Sequence, residues 1–77
     1  MKSVKVLGTG CANCRTTVQL IEGVAKDRGV EIALEKVGDM QAIIGYGVMR
    51  TPAVVVDGKV VHSGGIPDRA VIAGWLA

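Results

Sequence analysis

The chain has 77 residues, a length that limits it to one domain with a thin stability margin, because small domains bury a smaller share of their surface. Hydrophobic residues make up 49%, charged residues 21%, and Phe is absent, which excludes a disordered tail and requires an aliphatic core of Val, Ile, Leu and Ala. Net charge is +2, the nine Lys and Arg residues are scattered from Lys2 to Arg69, and the aromatics are Tyr46 and Trp75, so nucleic-acid binding has no support.

Ser3 to Leu7 is a short β-rich run, broken by Gly8-Thr9-Gly10. A helix pattern follows: Cys14, Val18, Ile21 and Ala25 fall on one face, with Val24 beside them, and Gly29 suits its C-terminus. Val30 to Val37 sets Val30, Ile32 and Leu34 against Glu31, Ala33 and Glu35, a half-buried strand. Asp39 is expected to cap a short helix through Ile44, with Met40, Ile43 and Ile44 on its buried side. Ala53 to Asp57 is a near-continuous apolar strand, and Asp57-Gly58 predicts a hairpin into Lys59-Val60-Val61. Pro67 is expected in the first turn of a last helix, with Asp68 near its N-terminus and Val71, Ile72, Trp75 and Leu76 as its buried stripe.

The order β-α-β-α-β-β-α makes this an α/β chain, expected to form one domain over residues 1–77. Its first βαβ unit is expected to be parallel with a right-handed crossover, and its hairpin antiparallel. The strands are too apolar to leave bare, so helices are expected on both faces of a four-stranded mixed sheet. The longest apolar run, Ala53 to Val56, is too short to span a bilayer, and Met1-Lys2 leads directly into a strand pattern. The expectation is a cytoplasmic monomer with no membrane contact.

The chemistry centres on Cys11 and Cys14, which sit where the first strand meets the first helix. A helix N-terminus offers unpaired N–H groups and partial positive charge, which favour thiolate over thiol. Cys11 lies ahead of the periodic face and Cys14 falls on the buried stripe. Cys11 is therefore the expected nucleophile, and Cys14 the thiol that resolves the mixed disulfide. Arg15 either adds positive potential or is a solvated surface residue. A soft-metal or iron–sulfur carrier is the rival reading, since short cysteine pairs also bind soft ions. Structural zinc takes about four ligands, however, and the chain offers two Cys and one His, with His62 distant in sequence. Two buried small hydrophobes is the bland alternative, disfavoured because both cysteines crowd a helix start. No cofactor and no metal is expected.

Cys11-x-x-Cys14 after a strand, Thr51-Pro52 before an apolar hairpin, and Gly64-Gly65 before a last helix resemble a minimal thioredoxin/glutaredoxin fold. The stretch from Tyr46 through Val61 is similar to small thioredoxin-like redox-active disulfide proteins of archaea and bacteria. The resemblance implies strand order 2-1-3-4, a dithiol–disulfide oxidoreductase acting on protein disulfides, and an upstream reductase as partner. It implies that Pro52 is a cis proline beside the dithiol, and that Thr51 and Pro52 bind substrate, Thr51 through its backbone. Departures are plain. The core here is Gly-Cys-Ala-Asn-Cys instead of Trp-Cys-Gly-Pro-Cys, and the first strand lacks the buried acidic residue that thioredoxins use for the resolving thiol's proton. Thr51-Pro52 also lacks the middle residue of the glutaredoxin Thr-Val-Pro. Gly64-Gly65 is preserved, which leaves a glutathione-linked reductase as a further alternative, although glycines there read first as a tight turn.

Overall fold

A computed structural model describes residues 2–8 and 12–76. The elements are β1 (Lys2–Leu7), α1 (Ala12–Asp27), β2 (Ile32–Val37), α2 (Met40–Gly45), β3 (Ala53–Val56), β4 (Lys59–Ser63) and α3 (Arg69–Trp75). The order is the expected β-α-β-α-β-β-α, and the four strands form one mixed sheet in the order β2-β1-β3-β4.

β1 is the sheet's centre. It pairs in parallel with β2, Val4 beside Leu34, and antiparallel with β3, Val6 beside Val54. Asp57 and Gly58 adopt φ values of +50° and +84°, the left-handed pair that a two-residue hairpin requires, and β4 folds back on β3 with a register shift at Val54/Val55. The hairpin tip is tied to β1 twice: Asp57 N–H donates to the Ser3 carbonyl at 2.8 Å, and Ser3 N–H donates to Asp57 Oδ1 at 3.0 Å.

Strand alternation sends side chains to both faces, and both are covered. Val4, Val6, Val54 and Val56 join Val18, Ile21, Val24 and Ala25 of α1 and Ile72 of α3 in the larger cluster. Leu7, Ala53 and Val55 join Ile43 and Val48 on the other face. Arg69 of α3 donates to Asp27 of α1 at 2.7 Å, an exposed link between the two helices. Ile21 is fully buried at the centre of the larger cluster. Ile21→Ala should cost about 3 kcal/mol, from lost transfer energy plus the cavity left behind. A urea titration should show the midpoint fall with the slope unchanged; a loss below about 1 kcal/mol would mean that the site collapses around the deletion.

The short helices differ from expectation. Asp39 does cap α2, accepting from Gln41 N–H at 3.1 Å. Of its three expected buried residues only Ile43 is inside; Met40 is 55% exposed and Ile44 66%. A helix of six residues presents little more than one side chain to a sheet. In α3, Ile72 is buried, Trp75 is half-buried and Val71 is 46% exposed; Leu76, the C-cap residue, is buried. Pro67 stands one residue before the N-cap, Asp68, and so outside the first turn.

Candidate active site

Cys14 is the third residue of α1 and is buried, on the stripe that continues through Thr17, Val18 and Ile21. That first turn carries no acidic residue, so nothing there opposes the positive end of the helix. Thr16 and Thr17 turn their hydroxyls back to donate to the carbonyls of Ala12 and Asn13, at 3.0 and 2.8 Å. Thr17, itself fully buried, thereby spends its polar atom inside the helix and presents its methyl to the core.

The Cys14 sulfur lies against Gly8, the residue that ends β1. A Cβ on Gly8 would overlap Cys14 Sγ, with Cys14 Cβ at 3.2 Å and Thr51 Cβ at 3.8 Å. One missing side chain thus lets α1, the end of β1 and the loop before β3 converge. Gly8 is held there by its N–H, which donates to the Val37 carbonyl of β2 at 2.9 Å. Pro52 follows Thr51, is buried, and takes the expected cis peptide bond. Its carbonyl accepts from Gly64 N–H at 2.9 Å. Gly64 and Gly65 have φ of +76° and +72°, and a Cβ on Gly64 would press on Arg50 at 3.3 Å from its Cβ, so these glycines make a tight turn against the Thr51-Pro52 loop.

Cys11 lies outside the described residues. Cys14, Thr51 and Pro52 are brought to one end of the sheet. His62 is engaged elsewhere: its Nε2 lies 3.0 Å from the Gly65 carbonyl and its ring stands 6.0 Å from that of Trp75. Among the described residues no three His, Cys, Asp or Glu side chains cluster as metal ligands. Beside Thr51 runs an apolar groove of about 660 Å³, floored by Ile43 and Val48 and rimmed by Met40, Ile44 and Met49, the last 97% exposed.

A family model for the thioredoxin domain matches residues 2–77. The chain belongs to the thioredoxin family. Its relatives include a thioredoxin of Methanothermobacter thermautotrophicus, 29% identical over 77 residues and aligned along the whole of both chains. A thioredoxin of Methanocaldococcus jannaschii is 31% identical over 68 residues, covering 88% of this chain and 78% of that one. Thioredoxin-family membership makes thiol–disulfide oxidoreduction the activity of its class. Among the described residues no helix is long and apolar enough to cross a membrane.

Two residues of this candidate site are not marked by the sequence pattern. Gly8 read only as a strand breaker. Its contact with Cys14 arises across the turn between β1 and α1, and no local pattern encodes it. Lys36 lines a small cavity beside Cys14. Its signal was present: it shares strand parity with Ile32 and Leu34, on the inward row.

Proposed function

We propose that the chain is a cytoplasmic protein dithiol–disulfide oxidoreductase in which Cys11 attacks the substrate disulfide and Cys14 resolves the product. The observation that carries this reading is the seat of Cys14: a buried sulfur at the start of α1, against Gly8 and beside Thr51. A resolving thiol has to be shielded from outside disulfides, which a place on the inner face of the first turn provides, and near the outer thiol, which the three-residue spacing of the pair in sequence favours. The Cys11 thiolate attacks one substrate sulfur, and the other leaves as thiolate. The Cys14 thiolate then attacks Cys11, releases the second substrate thiol and leaves a Cys11–Cys14 disulfide for an upstream reductase. Exposed Thr51 gives an extended substrate segment a place to lie, and the Met40–Ile44–Met49 groove receives its apolar side chains.

Two measurements test this. Equilibrating the protein in graded glutathione or dithiothreitol buffers, then trapping with a thiol reagent, should show one two-electron transition between dithiol and disulfide. Limiting iodoacetamide on the reduced protein near neutral pH should label Cys11 and spare Cys14. Preferential labelling of Cys14 would reverse the two roles.

A further inference from the structure

Strict two-residue alternation along β4 would put Val60 and His62 on one face of the sheet. The register parts them. Val60 lies opposite Val55 and His62 opposite Val54, so Val61 is an extra residue and β4 bulges there. Residues directly opposite in an antiparallel pair share a face. Val55 belongs to the smaller cluster and Val54 to the larger, so the bulge turns His62 to the side where Trp75 of α3 packs. The two rings stand 6.0 Å apart at 49°, within the range of a tilted aromatic pair.

Propped against Trp75, the imidazole reaches the turn that follows β4. Its Nε2 lies 3.0 Å from the Gly65 carbonyl, and a carbonyl only accepts, so Nε2 carries the hydrogen and donates. The turn needs such a fixed point. Gly64 and Gly65 both take left-handed φ values, +76° and +72°, and neither has a side chain to restrain it. The same turn meets the Thr51-Pro52 loop in two ways. Gly64 N–H donates to the Pro52 carbonyl at 2.9 Å, and the Arg50 side chain lies over the bare Gly64 Cα, its Cδ 3.2 Å from where a Cβ would stand. A contiguous path therefore runs from the His62 ring through Gly65 and Gly64 to Pro52.

We propose that His62 is a positioning residue for substrate binding: its hydrogen bond to Gly65 fixes the Gly64-Gly65 turn, and through it the Thr51-Pro52 loop on which a protein substrate lies. The inference rests on the substrate-binding role given to Thr51 above. A loop already set in place spares the incoming segment the cost of ordering it, so the effect falls on binding. A disulfide too small to lie along the loop gains nothing from it. Gly65 is exposed, so water takes over its carbonyl when the His62 donor is removed, and the turn is released.

Insulin reduction under dithiothreitol reads a protein substrate, and stopped-flow reaction of the reduced protein with dipyridyl disulfide reads the dithiol alone. His62→Leu keeps bulk against Trp75 and removes the donor. It should raise KM for insulin about fivefold, the worth of one neutral hydrogen bond, with kcat and the dipyridyl disulfide rate unchanged. A pair of amides then separates reach from bulk. His62→Gln sets an N–H at the reach of Nε2 and should restore the native KM. His62→Asn stops short of Gly65 and should behave as His62→Leu does. A native KM in both His62→Leu and His62→Asn, a raised KM in His62→Gln, or an equal loss with both disulfides overturns the role of His62. If Cys14→Ser is inactive toward insulin in the same assay, the dithiol reading survives that failure. Insulin turnover by Cys14→Ser would sink the dithiol reading itself.

Discussion

Cys14→Ser should turn the protein from a turnover catalyst into a trap, with disulfide-reducing turnover down by at least about a thousandfold. With the roles proposed above, Cys11 should still attack in this variant, but the serine hydroxyl is not a nucleophile toward sulfur at neutral pH, so the mixed disulfide should persist. The adduct should be visible by mass and cleaved by dithiothreitol. Cys11→Ser should be equally inactive and trap nothing, because the remaining thiol is buried at the inner face of α1. The substitution at Cys14 is nearly isosteric, so the fold should survive and the two effects separate cleanly from stability. Retained turnover in both variants would remove the pair from the active site.

Gly8→Val should produce the second largest loss, for a steric reason. Even an alanine Cβ would overlap Cys14 Sγ, and valine adds two methyls at the point where Cys14 and Thr51 meet. β1 cannot simply withdraw, because Gly8 N–H is bonded to Val37 and the Gly8 carbonyl already sits close under Gly38, 3.4 Å from where a Cβ there would lie. The sulfur has to move instead. Overpacking of this kind costs about 1–3 kcal/mol of stability, whereas a displacement of about 1 Å at a reacting atom can cost about a hundredfold in rate. Activity should therefore fall far more than the melting temperature. Gly8→Ala should show the same imbalance in smaller measure. Native turnover in Gly8→Val would mean that Cys14 does not have to occupy this seat to react.

Much of this fold is written in local pattern. The stripe Cys14, Val18, Ile21, Ala25 is a 3.6-residue period and Asp57-Gly58 is a hairpin dipeptide, and both survive intact in the structure; the two-residue alternation expected from Val30 becomes a strand only from Ile32. The short helices were less legible, since six or seven residues give too few turns for periodicity to say which side is inward. Met40, Ile44 and Val71 accordingly lie outside. At the site, the helix start marked the Cys14 position, whereas the partners of its sulfur come from β1, β2 and the loop before β3. Such contacts depend on which strands the sheet sets side by side. Only the inward parity of Lys36 hinted at them.

The central place of β1 has a consequence during synthesis. β1 leaves the ribosome before either of its neighbours, and its first partner, β2, follows only after the whole of α1. Its second partner, β3, is paired through Val4 and Val56, and the Ser3–Asp57 bonds that close this edge span 54 positions. Until then one long edge of β1 stays open, and the larger cluster lacks Val54, Val56 and Ile72. Loop closure over such a span is slow compared with local helix formation. The sheet therefore stays unfinished while β2 and α2 are being made, and the larger cluster closes only when α3 has been made and can dock.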